Sequence, residues 1–119
     1  MKDILHQLNE TISARGSLVV ARDGMLVAAD VMDGVDVERL SALGAALVTE
    51  VGASLKSAGL TEFSHVEVAA EHGKILLAEA GPTYLMVLVG ARLEIGPGSI
   101  EIQSAANRLA RAANFAPTE

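Results

Sequence analysis

Asp36-VERLSALGAALVTEVGASLKSA-Gly59 is the stretch from which the rest of the chain can be organised. At 100° per residue, Leu40, Leu43, Gly44, Leu47, Val48, Val51, Leu55 and Ala58 gather on one side, a stripe wide enough to seat a helix on a sheet. Asp36 is placed to accept from the free amides of the first turn, and Gly59 stops the helix as a left-handed residue would. The rest of the circumference carries Ser41, Ala42, Ala45, Ala46, Thr49, Gly52 and Ala53, and Glu50 is the one charge between Arg39 and Lys56. Alanine alone would need no explanation, since it is a good helix former. Glycine is not, and Gly44 and Gly52 each cost ~1 kcal/mol of helix propensity relative to alanine. A second protein surface against this small, neutral face is therefore expected, one that lets two backbones approach closely.

The flanking segments supply the sheet. Upstream, Ile4, Leu5, Leu8 and Ile12 form one helical stripe within Lys2–Ala14, and Gly16 is expected to end that first helix. Ser17–Arg22 and Met25–Ala29 then read as two strands joined by Asp23-Gly24, a pair suited to a type I′ turn. Both are apolar at nearly every position, so both faces should be covered. Asp30, Asp33 and Asp36 recur at every third residue, which suits turns and capping better than a calcium loop. Downstream, after Thr61-Glu62, the alternation in Phe63–Ala70 puts Ser64, Val66, Val68 and Ala70 on one face and Phe63, His65, Glu67 and Ala69 on the other. This half-polar pattern predicts an edge strand, which with the long helix suggests a symmetric dimer with a continuous sheet. Lys74–Glu79 and Tyr84–Val89 complete a meander. A loop through Gly96-Pro97-Gly98 should precede a closing helix, Ile100–Ala113, capped by Ser99 and buried through Ile102, Ala105, Ala106, Leu109 and Ala113. The order αββαβββα defines a single α+β domain spanning residues 1–119.

Composition limits the chemistry. The chain has 119 residues and no cysteine, which removes thiol nucleophiles and metal thiolates. Its formal charge of −6 repels phosphate backbones, and three aromatics (Phe63, Tyr84, Phe115) provide little for stacking bases, so nucleic acid is not expected as a partner. Ala80–Ala91, the longest uncharged stretch, falls short of the ~20 apolar residues needed to cross a bilayer. No export signal is recognisable at Met-Lys-Asp, and a cytoplasmic location is expected. Gly73-Lys74 lacks the rest of a phosphate-binding loop, Gly96-Pro97-Gly98 lacks the third glycine of a dinucleotide fingerprint, and no Gly-x-Ser-x-Gly elbow occurs. His65, Glu67, Glu71 and His72 could converge around one hairpin as metal ligands, but a solvated edge strand and turn explain them more simply. His6 reads as a surface or satisfied histidine. No catalytic residue, metal or cofactor is expected.

The whole chain resembles the Roadblock/LC7 family, which includes dynein light chains and MglB-type regulators of small Ras-like GTPases. The resemblance rests on the first helix before Gly16, the Leu18–Ala29 hairpin, Leu40-Ser-Ala-Leu-Gly-Ala-Ala46, the strand Leu85–Val89, Gly96, and the alanine-rich last helix with Arg108-Leu109. These are framework motifs, so they speak to fold before function. The resemblance implies a five-stranded antiparallel, profilin-like sheet with the second helix on one face and the terminal helices on the other. It also implies dimers with second helices side by side and third strands paired across the axis. Ser41, Ala45, Thr49, Gly52, His65 and Glu67 are the expected interface residues. Arg39, Ala42, Ala46, Glu50 and Ala53 are expected to face a small Ras-like GTPase, making the chain a non-catalytic homodimeric regulator or scaffold. Some family members accelerate GTP hydrolysis by remodelling the GTPase; any motif on long terminal extensions is absent from these 119 residues. The alternative is a structural module that joins larger assemblies independently of a GTPase.

Overall fold

A computed structural model describes residues 1–60 and 63–115; the lead-in expected at Thr61-Glu62 lies outside them. The elements are α1 (Lys2–Ile12), β1 (Gly16–Ala21), β2 (Leu26–Val31), α2 (Val37–Ser57), β3 (His65–Ala69), β4 (Lys74–Ala80), β5 (Thr83–Val89) and α3 (Ile95–Phe115). All strand pairs are antiparallel, in the order β2-β1-β5-β4-β3. The long connection through α2 carries the chain from one edge of the sheet to the other, so β5 has to return to the centre beside β1.

Strand alternation sorts the core into two layers. Val19, Leu76, Ala78, Leu85, Val87 and Val89 meet Leu5 and Leu8 of α1 and Ile102, Ala105, Ala106 and Leu109 of α3. Leu18, Val20, Leu77, Tyr84 and Met86 form the opposite layer, over which Val37, Leu40, Leu47 and Val48 of α2 pack. β1, β4 and β5 are therefore apolar on both sides because both sides are buried. β2 is not: Leu26 and Val27, at the end of this edge strand beside the β1–β2 turn, are open to solvent, contrary to the expectation of full cover, and the remainder is half-buried under α1 and α2.

Several element ends differ from the sequence reading for local reasons. α1 stops at Ser13, which takes the left-handed conformation (φ 57°). Gly16 instead opens β1, where a Cβ would lie 2.7–2.9 Å from Val31. The β1–β2 connection is not a type I′ turn, since only Gly24 has positive φ. Gly24 N–H donates to Ala21 O and Ala21 N–H to Met25 O, each at 2.9 Å, making a three-residue loop with glycine in its left-handed position. Asp30 is a β2 residue rather than loop punctuation, whereas Asp36 caps α2 by accepting from Arg39 N–H at 3.1 Å. At the other end of α2, Leu60 N–H bonds Leu55 O and Gly59 N–H bonds Lys56 O, a Schellman closure. α3 begins at Ile95, not at Ile100 after the expected loop through Gly96-Pro97-Gly98. A proline in the first turn forfeits no helical bond, and Ser99 Oγ, expected as a cap, donates to Gly96 O from inside the helix.

Candidate interaction surface

α2 divides by exposure into an inner and an outer arc. Gly44 is buried on the sheet, with Leu40, Leu47, Val48, Val51 and Leu55 partly covered around it. Leu43 and Ala58, expected in this stripe, are exposed; Leu43 lies at the margin of the arc and is 44% accessible. All five residues expected to face a partner, Arg39, Ala42, Ala46, Glu50 and Ala53, lie on the exposed arc. Arg39 is held only loosely, its Nε 3.4 Å from Asp36. Between Glu38 and Lys56, both exposed, this arc is thus a strip of methyl groups with one cation, one carboxylate and an accessible leucine.

The residues expected at the dimer interface do not form one patch. Ser41 is a correction: it is 1% exposed, turned towards the sheet, and its hydroxyl donates to Val37 O at 2.7 Å. Its angular position lies only 60° from Gly44, and a serine that bonds back to its own helix needs no partner. Ala45 is half-buried beside the β1–β2 turn, its Cβ 3.4 Å from the site of a Cβ on Gly24. Thr49 is exposed and Gly52 half-buried, both on a groove beside the helix. His65 and Glu67 are exposed on β3, but Val66 belongs to the α2-side layer, so these two side chains emerge on the other face of the sheet. On β3 it is Val66 and Val68 that point to the face on which α2 lies.

Between α2 and the β3–β4 side lies the groove, a cavity of about 510 Å³ lined by Arg22, Val48, Thr49, Gly52, Ala53, Phe63, Glu79 and Tyr84. The Arg22 guanidinium sits 4.9 Å from the centre of the Tyr84 ring, donates to the Tyr84 hydroxyl, and reaches Glu79 at 3.4 Å. The charges here answer each other and leave an amphipathic trough. Further along the same face, Val68, Ile75 and Leu88 line a second hollow of about 420 Å³. α2 lies over the β1–β2 half of the sheet, and these hollows mark the part it does not cover.

Arg22, Phe63 and Tyr84 carried no signal of this role in the sequence, since they come from three separate segments. Val66 and Val68 did: their alternation with His65 and Glu67 already placed them on a separate face. Among the described residues no group of three or more histidine, cysteine, aspartate or glutamate side chains is arranged to hold a metal. His6 is exposed and bonded to Asp30 and Glu10.

A five-stranded antiparallel sheet with one long helix on one face and two terminal helices on the other is the Roadblock/LC7 architecture, and the comparisons agree. The Roadblock/LC7 domain family model matches residues 1–89, and the chain belongs to this family. An uncharacterised protein of Methanocaldococcus jannaschii, MJ0714, is 31% identical over 106 residues, covering 89% of this chain and 90% of its own length. Among solved structures, Myxococcus xanthus MglB superposes with a TM-score of 0.89 at 20% identity, covering 97% of this chain and 95% of that one. A Roadblock/LC7 domain from Streptomyces avermitilis also reaches 0.89, at 14% identity and coverages of 97% and 98%.

Proposed function

We propose that this chain is a non-catalytic, homodimeric regulator or scaffold that docks a small Ras-like GTPase on the paired outer faces of α2. One observation carries the reading: Ala42, Ala46 and Ala53 lie exposed beside accessible Leu43, with only Arg39 and Glu50 as charges. Water gains little from such a strip, while a second backbone can approach it closely. The open trough beside α2 and the free edge of β3 support dimerisation on the same side, with Val66 and Val68 rather than His65 and Glu67 meeting the partner helix. Membership of the Roadblock/LC7 family and likeness to MglB favour a GTPase as the ligand. No helix among the described residues is long and apolar enough to cross a membrane, which suits a cytoplasmic regulator.

The test uses the full chain as bait for cytosol loaded with GTP or GDP analogues, alongside light scattering for mass. A dimer that retains a small GTPase in one nucleotide state is the expected result. A strict monomer, or retention of other proteins regardless of nucleotide, overturns the GTPase reading; the second outcome points to an assembly module.

A further inference from the structure

β2 closes the sheet on the side away from β3, and among the described residues no strand lies beside its outer edge. From Ala28 to Val31 pairing to β1 uses the N–H and C=O of alternate residues and leaves the others pointing outwards, while Val27 stands out of register as a bulge. α1 and α2 pack over the two faces of β2. Proteins usually guard such an edge with a lysine, a proline, an intrusive charge or a bulge, and of these β2 keeps a bulge at Val27, which leaves Ala28–Val31 regular. Leu26–Val31 contains no lysine and no proline, and its single charge, Asp30, is drawn onto α1: His6 Nδ1 lies 2.9 Å from its carboxylate and Asn9 Nδ2 3.1 Å. What remains at the edge is apolar. Val27 is 47% exposed, and Met25 and Met32, one on each side of the strand, are 65% and 60% exposed. Methionine adapts its shape to irregular apolar partners.

Charge selects the occupant. From Arg22 to Asp36 the chain holds four aspartates against one arginine; Asp30 is bonded to His6 and Asp36 lies beside Arg39, which leaves Asp23 and Asp33 as the acids at the two ends of the edge. Arg22 is already engaged with Tyr84 and Glu79. A second copy of this chain laid antiparallel along β2 would bring the Asp23 end of one strand towards the Asp33 end of the other, which like charges oppose. A segment with basic residues flanking an apolar core would meet the opposite sign at both ends.

We propose that the β2 edge receives an extended, apolar segment with basic flanks from another protein, added as a sixth strand. The surface lies at the far side of the sheet from β3, so it stays accessible in the proposed dimer, and it does not depend on a GTPase.

The probe is the synthetic peptide acetyl-KRVTITVRK-amide, titrated into the full chain with amide exchange followed by NMR. Two control peptides keep the core but carry either N-methyl groups at alternate residues or glutamates on the flanks. The basic peptide should bind roughly tenfold more tightly than either control, as expected where backbone pairing and charge both contribute. It should slow exchange at the outward amides of Ala28–Val31, and Val27→Lys, at the exposed bulge, should abolish the effect without changing the melting temperature. Equal binding of the N-methylated peptide, or perturbation centred on Tyr84 instead of β2, overturns the proposal. So does concentration-dependent protection of β2 in the free chain that Val27→Lys removes, since a second copy would then occupy the edge.

Discussion

Gly44 of α2 stands directly over Met86 of β5: a Cβ on Gly44 would lie 3.0 Å from Met86 Cε, with Leu77 Cδ2 at 3.4 Å. Met86 is fully buried. The glycine therefore lets α2 settle onto its own sheet, and the cost of placing it in a helix is offset within the protomer. Gly52 differs, with its nearest neighbour, Phe63 Cε1, at 3.9 Å. Gly44→Val should destabilise the fold by about 1–3 kcal/mol through overpacking, whereas Gly52→Ala should stabilise it by up to ~1 kcal/mol through helix propensity. Urea denaturation of both variants checks the pair, and opposite signs are the expected outcome.

Gly81, in the β4–β5 turn, has φ +64°, and a Cβ there would come within 3.0 and 3.1 Å of the Cβ and Cα of Ala110 on α3. Left-handed backbone costs an alanine about 1–2 kcal/mol, and the obstructing atoms are helix backbone that cannot rotate away. Gly81→Ala should lose at least that much stability in a thermal melt, and the displacement of α3 should show as chemical-shift changes along Ala105–Leu109.

His6 and Asp30 tie α1 to β2 in a pH-dependent way. The hydrogen bond to Asp30, aided by the negative charge of Glu10, raises the His6 pKa above its ordinary value; the bond from His6 lowers that of Asp30. The histidine contribution is complete below about pH 6.5 and disappears as pH rises through the raised folded value. The aspartate contribution is present above about pH 3.9 and disappears as pH falls through the lowered folded value. The tie is thus strongest in the mildly acidic window between them. Denaturation midpoints of the wild-type chain should peak there relative to His6→Ala, and a constant difference between the two across pH 4–8 would contradict the assignment.

Ala46 separates stability from docking. It is exposed on the outer arc of α2, so Ala46→Arg should change the unfolding free energy by no more than ~0.5 kcal/mol, the usual range for a surface substitution. The same change places a long cation in the strip proposed to meet a GTPase. Retention of the GTPase should be lost while the melting temperature is kept; binding that survives the substitution moves the docking surface elsewhere.

The contrast between Ser41 and Ala46 shows how far a helical wheel reaches. Both are small and uncharged, and composition alone assigns each to an outer face. Only the sheet beneath α2 distinguishes them, by burying Ser41 and leaving Ala46 in water. Likewise, the alternation in Phe63–Ala70 was enough to mark β3 as an edge, but not to say which of its faces α2 shares.

Local pattern determined the element order, the helical core stripes and the cap at Asp36, because periodicity and orphan backbone groups act between residues a few positions apart. Family membership was legible for the same reason, as it resides in framework motifs. Tertiary structure alone decided that β2 is an edge, that Ser41 is buried, and that Arg22, Phe63 and Tyr84 share a groove with α2. Each of those depends on which distant segments the sheet order β2-β1-β5-β4-β3 brings side by side, and a short-range repeat carries no information about contacts closed across sixty residues of chain.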